Sequence, residues 1–329
     1  MRVLVTGGAG YIGSVVAASL LEAGNEVVVY DDLSKGTQRA VPKGATLVVG
    51  DVGDRACLRQ AFEQYRFGSV MHFAAFIEAG ESMQAPERYF RNNTCNTLTL
   101  LEVMMERGVR RLVFSSTAAL YGEPRRTPIG EEEPLNPTNA YGESKLLVER
   151  MLEWFHRIHG LSYASLRYFN AAGACNGLGE DHHPESHLIP IVLQVALGQR
   201  KSVSIYGTDY ATGDGTCIRD YVHVGDLASA HLLALDKLNR AAQPERLIYN
   251  LGIGRGFSVH EVIEVARRVT GRTIPAVESP RRPGDSAVLV ASSEKIKRDL
   301  RWHPEYTEIE PIIRSAWEWR EQHPHGYKG

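Results

Sequence analysis

The chain has 329 residues, 43% hydrophobic and 23% charged, an ordinary globular balance that excludes global intrinsic disorder. Its 37 Lys and Arg against 39 Asp and Glu give a net charge of −2, which leaves no positive excess to follow a phosphate backbone and excludes nucleic acid as the main partner. No apolar run reaches the roughly 18 residues of a membrane span, Met1–Gly7 is too short for a signal peptide, and Cys57, Cys95, Cys175 and Cys217 lack paired spacing, so a cytoplasmic protein without a membrane partner is expected.

Short β-branched runs predict strands at 3–5, 26–30, 46–49, 69–73, 111–115 and 163–168. Helical spacing predicts helices over 12–23, 55–65, 86–107 and 140–159. Such alternation requires parallel strands with crossovers on both faces, so the expected fold class is α/β, a Rossmann-like doubly wound parallel sheet. Past Asn170 a Gly-, His- and Pro-bearing stretch, 171–187, breaks the alternation. We place a dinucleotide-binding domain at 1–170 and a smaller α/β substrate-binding lobe at 171–329, with strand signals at 220–224 and 247–251 that can rejoin the first sheet.

Directly after the first strand, Gly7, Gly10 and Gly13 form a G-x-x-G-x-x-G turn, and Asp31 ends the second strand region. Missing side chains let the backbone approach a pyrophosphate, whose charge meets the free N–H groups and positive dipole of the helix starting near Ile12. Asp31 can accept hydrogen bonds from an adenosine ribose and would repel a 2′-phosphate, which points to NAD rather than NADP. Asp51, followed by Val52, reads either as an adenine-edge contact or as a helix cap.

Tyr141 and Lys145, four residues apart, share one face of a predicted helix. The fifth strand region leads into Phe114, Ser115, Ser116 and Thr117 at the carboxyl end of the sheet, so a hydroxyl, a phenol and an ammonium converge there. The ammonium and a cationic nicotinamide both favour the phenolate, so Tyr141 is expected to titrate below a free tyrosine and to serve as a base near neutrality. His182, His183 and His187, with Glu180, Asp181 and Glu185, would offer a zinc-like i, i+4 pair on a helix. Pro184 and the preceding glycines favour a loop instead, and no metal site is expected.

Further motifs are HFAAFIEAGES at 72–82, FSSTAALYGE at 114–123, LRYFNAAGA at 166–174, GTCIRDYVHVGDLA at 215–228, YNLGIG at 249–254 and RRPGD at 281–285. With them the chain resembles, over essentially its whole length, the extended short-chain dehydrogenase/reductases and, among these, the UDP-glucose 4-epimerase family. That resemblance implies NAD held by Gly7, Gly10, Tyr11, Ile12, Gly13, Asp31, Asp51, Val52, Phe73, Ala74, Ala75, Asn92 or Asn93, Ser115, Tyr141, Lys145 and Tyr168. It implies a UDP-hexose substrate touched by Thr117, Tyr141, Asn170, Leu188, Tyr206, Arg219, Arg282 and Asp285, with Leu289 beside the hexose C2 group. Guanidinium groups suit the diphosphate because they bind its oxygens in bidentate fashion.

The catalytic set implied is Tyr141, Lys145 and Thr117: the sugar 4′-hydroxyl loses its proton as hydride passes to NAD, and the 4-keto sugar regains hydride on its other face. A homodimer through the helices at 86–107 and 140–159 is implied as well. The chain departs from the pattern at Thr117, where many members carry Ser, at Ile77, where some carry Lys, and at His187, where some carry Asn. A nucleotide-sugar 4,6-dehydratase or decarboxylase would share the oxidation step, but dehydratases usually follow the threonine with an Asp-Glu pair, and here Ala118 and Ala119 follow. An NAD-sensing binding protein would keep the fold without chemistry, a reading opposed by the intact Tyr141 and Lys145.

Overall fold

The computed structural model describes residues 1–282 and 285–328; Pro283 and Gly284 of the RRPGD motif, and Gly329, lie outside the described residues. The first half runs β1 (Arg2–Thr6), α1 (Tyr11–Glu22), β2 (Glu26–Asp31), β3 (Thr46–Val49), α2 (Arg55–Tyr65), β4 (Ser69–His72), α3 (Ala79–Ser82), α4 (Pro86–Tyr89), α5 (Asn96–Glu106), β5 (Arg111–Thr117), α6 (Ala140–His159) and β6 (Ser162–Tyr168). The second half runs β7 (Asn170–Ala172), α7 (Leu188–Ala196), β8 (Val203–Tyr206), β9 (Ile218–His223), α8 (Val224–Arg240), β10 (Arg246–Leu251), β11 (Gly256–Ser258), α9 (Val259–Thr270), β12 (Ala276–Ser279), β13 (Val288–Leu289), α10 (Glu294–Leu300) and α11 (Ile309–Gln322).

Seven strands form one sheet in the order β10-β6-β5-β4-β1-β2-β3, every neighbouring pair parallel. Side chains alternate across it. Val3 and Val5 meet Val15, Val16 and Leu20 of α1 and Leu227, Ala234 and Leu238 of α8. Leu4, with Val28, Val70 and Leu112, faces Leu58 and Phe62 of α2, Leu100 and Met104 of α5, and Val148 and Leu152 of α6. Each such Val, Leu, Phe or Met side chain, fully buried, contributes about 1.5–3 kcal/mol. Because β1 leads to β2 on one side while its other neighbour, β4, leads to β5 on the other, the connections at their carboxyl ends run in opposite directions, and a crevice opens there.

Of the two later strand signals, the one at 247–251 rejoins the large sheet as β10, while the one at 220–224 becomes β9 and does not. Strand β9 instead centres a small sheet, antiparallel to β11 and parallel to β7 and β13. Its Asp220 carboxylate accepts the backbone N–H groups of Ile253, Gly254 and Ala291 at 2.9, 3.0 and 3.1 Å, so one buried side chain ties two later loops to this strand. Burial pushes that carboxyl up to about 6. Helices α7, α9 and α11 close the lobe around Ile189, Val192, Phe257, Val262, Ile312 and Trp317. Among the described residues no helix is long and apolar enough to cross a membrane.

The single helix expected over 86–107 is divided: a π turn, Phe90–Cys95, separates α4 from α5. The wider turn rotates the residues beyond it relative to a regular helix. Asn93 there faces inward, its amide donating to the Phe76 carbonyl and the Ser144 hydroxyl, both at 3.0 Å, and accepting from the Phe76 N–H at 2.9 Å.

Candidate active site

Helix α1 begins after Gly10 with no side-chain cap and no acidic residue in its first turn, so its first N–H groups are left for a ligand. The three glycines of the turn have different tasks. At Gly7, where φ is +71°, a Cβ would lie 2.4 Å from the Ala74 nitrogen, and at Gly13 it would lie 2.3 Å from the Gly7 oxygen, so both are required by backbone packing. At Gly10 it would meet only the Gly7 oxygen, at 3.3 Å, so that position keeps the approach to the helix terminus clear.

Asp31 is buried at the end of β2, where its Oδ2 accepts the Ala9 N–H and its Oδ1 the Leu33 N–H, each at 2.9 Å. Burial pushes this carboxyl up while the two amides pull it back. Asp51 accepts from the Gly53 N–H at 2.7 Å and the Asn96 amide at 3.2 Å. It is not the helix cap, a task taken by Asp54, which accepts from Ala56 and Cys57.

One cleft of about 390 Å³ gathers Gly7, Gly10, Tyr11, Ile12, Gly13, Asp31, Asp51, Val52, Phe73, Ala74, Ala75, Asn92 and Ser115 with Thr117, Tyr141, Lys145, Tyr168, Asn170, Arg219, Asp285 and Leu289. Its size falls in the range of small-molecule sites. Four expected residues are not brought to its wall. Asn93 bridges Phe76 and Ser144, leaving Asn92 as the asparagine of that pair in the cleft. Leu188 turns into the apolar core of the second lobe. Tyr206 and Arg282 pack on each other, the guanidinium 4.7 Å from the ring centre. Arg282 does reach the cleft indirectly, because Asp285 lies 3.0 Å from its Nε and 3.8 Å from Arg219 Nη2.

Asn139 caps α6 by accepting the Gly142 N–H at 2.8 Å. A Cβ at Gly142 would stand 2.6 Å from the Ala119 oxygen, so this helix start presses on the loop after β5 and brings Tyr141 to Thr117. The Thr117 hydroxyl nearby pulls the phenol down, but burial dominates and pushes it up. One turn along α6, Lys145 donates to the Ser115 carbonyl at 3.0 Å and lies 4.9 Å from the Phe114 ring centre. Burial brings this ammonium down to about 7. Ser115 and the Tyr168 phenol share a short hydrogen bond beside it. The expected lowering of Tyr141 by its lysine neighbour is therefore reversed in the cleft by itself, because desolvation of both groups disfavours either charge.

Two cleft residues escape any spacing rule. Lys35, from the loop after β2, pairs with Glu78, from the segment after β4, at 3.2 Å, and also donates to the His183 carbonyl at 3.4 Å. Beneath the cleft, Arg167 of β6 and Glu149 of α6 form a buried pair at 2.5 Å, joined by Ser116, which donates to Glu149 at 2.7 Å. An arginine inside the otherwise apolar strand YASLRYF was its sequence signal, since a buried cation must find an anion. Segment 180–187 is a loop, as expected, but His183 lies beside Asp181 with a half-exposed ring, while His182 and His187 approach Glu180.

Residues 3–252, which span the large sheet and most of the cleft, match the model of the NAD dependent epimerase/dehydratase family. The chain belongs to the NAD dependent epimerase/dehydratase family. Among epimerase/dehydratase relatives, a UDP-glucose 4-epimerase of Halalkalibacterium halodurans is 54% identical over 329 residues, covering 99% of this chain and 98% of the relative. A UDP-glucose 4-epimerase of Streptomyces lividans is also 54% identical, over 327 residues, with 99% and 98% covered. The crystal structure of the Bifidobacterium longum UDP-glucose 4-epimerase in complex with NAD+ and UDP superposes with a TM-score of 0.94 at 39% identity, covering 99% of this chain and all of that one. The family's NAD fits what this chain presents: uncapped amides at α1, no Cβ at Gly10, and a buried acceptor at Asp31.

Proposed function

We infer that this chain interconverts UDP-glucose and UDP-galactose by inverting the sugar's C4 centre with the help of NAD. The observation that carries the reading is the Tyr141 phenol set beside Thr117 at the end of β5, one helical turn from the buried Lys145, in the same cleft as Asp31 and Arg219. NAD, when bound along Gly10–Gly13 and Asp31, supplies a hydride acceptor and donor for C4.

Tyr141 takes the 4′-hydroxyl proton at its phenol oxygen and returns it, with Thr117 as the hydroxyl that relays or orients it. Lys145, anchored on Ser115, places a cation where it favours the phenolate. Arg219, on the cleft wall, supplies a fork for the UDP diphosphate, and Arg282 acts through Asp285 beside it. The hexose is held less firmly than the nucleotide, which lets the 4-keto sugar present its other face. Leu289, on the cleft wall, borders the sugar. Ala118 and Ala119 after Thr117 carry no group for eliminating water, which disfavours a dehydratase.

Helices α5 and α6 expose Leu98, Trp154 and Ile158 at 38%, 60% and 68%, which supports a homodimer through this helix pair, read by light scattering after size exclusion. The activity is tested by incubating the purified protein with UDP-galactose and resolving the products. Formation of UDP-glucose, lost in a Tyr141→Phe, Thr117→Ala double variant, is expected; no interconversion, or a 4-keto-6-deoxy product, overturns the reading.

A further inference from the structure

Glu180, His182, Glu185 and His187 bring one ligating atom each to within 4.8 Å of one another. Their arrangement is unlike a string of separate surface pairs. Glu180 Oε1 alone lies 3.0 Å from His182 Nδ1 and 2.8 Å from His187 Nδ1, and His187 Nδ1 lies 3.0 Å from Glu185 Oε1. The two carboxylate side chains are 7% and 2% exposed. Glu185 Oε1 is further held by the N–H groups of Ser186 and His187 at 2.8 and 2.9 Å, whereas Glu185 Oε2 is buried with no hydrogen-bond partner among the described residues. An orphaned carboxylate oxygen is costly to bury, and a cation would remove that cost. The neighbouring Arg320 is engaged elsewhere, with the Glu180 main-chain oxygen at 2.7 Å and Asp181 at 3.4 Å.

We propose that these four side chains form a structural site for one divalent transition metal of the zinc class, bound through Nδ1 of His182 and His187 and one oxygen each of Glu180 and Glu185. Two imidazole nitrogens select zinc-like ions over magnesium or calcium, and two carboxylates balance the charge. Ligand atoms around tetrahedral zinc stand about 3.3 Å apart. The separations here, from 2.8 to at most 4.8 Å, bracket that value, so small side-chain adjustments suffice.

The site's position explains its use. His182 stacks its edge on Tyr11, 6.2 Å between ring centres, in the turn that opens α1, and the Tyr11 phenol donates to the Gly173 carbonyl at 2.7 Å. His187 is the residue before α7. A metal would thus fasten the 180–187 strap over the nucleotide side of the cleft and set the entry to the second lobe.

The test uses tag-free holoenzyme, incubated with Zn2+ and freed of excess metal by gel filtration, with zinc per chain read by elemental analysis. At least half an equivalent in the wild type is expected, falling at least about tenfold in His182→Ala and unchanged in His183→Ala, whose ring lies outside the cluster. Because His187 adjoins a helix start, Glu185→Gln provides a variant of nearly equal shape, and it should weaken zinc at least about tenfold in competition with a chromophoric chelator. Less than half an equivalent in the wild type, or equal retention by His182→Ala, overturns the site. Metal content is read without turnover, so this outcome is separate from that of the epimerase assay.

Discussion

Lys145 Nζ donates to the main-chain oxygen of Ser115 across 3.0 Å, which fastens the second turn of α6 to the end of β5. A cation in that place acts on the phenol one turn earlier and on whatever lies along the strand ends. Lys145→Met keeps the length of the side chain and removes both charge and donor. The expected outcome is a fall in kcat of about a hundredfold or more with the fold retained, measured by UDP-glucose formation from UDP-galactose and by circular dichroism. Undiminished kcat would remove Lys145 from the proposed chemistry.

The glycines of the phosphate turn should separate folding from cofactor retention. Gly13→Ala forces a Cβ to 2.3 Å from the Gly7 oxygen, and a loss of at least about 3 kcal/mol, or failure to fold, is expected. Gly10→Ala faces only a 3.3 Å contact and should fold, but its methyl intrudes on the uncapped amides of α1 and should reduce NAD retained through purification by about tenfold or more. Urea midpoints and the absorbance of released cofactor distinguish the two.

Glu149 carries three hydrogen bonds in a dry setting, from Ser116 at 2.7 Å and from Arg167 at 3.0 and 2.5 Å. Glu149→Gln leaves the Arg167 charge buried without its counter-ion. A loss of about 3–5 kcal/mol in urea unfolding is expected, and a loss below about 1 kcal/mol would show that water reaches the pair.

His72 lies between the Thr6 and Thr97 hydroxyls, at 2.6 and 2.7 Å. Burial, and then the Lys145 charge, hold it at about 3 against an ordinary 6.5. Between those values the unfolded chain binds the proton and the folded chain does not. Stability from this group is therefore full above pH 6.5 and declines toward pH 3, at no more than about 1.4 kcal/mol per pH unit. His72→Gln should flatten the fall in urea midpoint between pH 7 and pH 4.5; an unchanged slope would place the acid sensitivity in other groups.

Local pattern was enough to establish the parallel sheet, the phosphate turn, Asp31 and the Tyr141–Lys145 face, because strand and helix periodicity, bare glycine backbone and i, i+4 geometry are properties of short stretches of chain. The resemblance of later motifs added Arg219, Asp285 and Leu289 to the cleft, where they are found. Packing between distant segments determined the rest. It inserted a π turn that drew Asn93 inward, directed Leu188 into the lobe core, and made β9 the centre of a second sheet. It also set the charge states: desolvation at Tyr141 and Lys145 outweighs their proximity in sequence, and the histidine that joins His187 is His182, not the one at helical spacing. Burial and long-range contact are sums over residues far apart in the chain, so no window of sequence contains them.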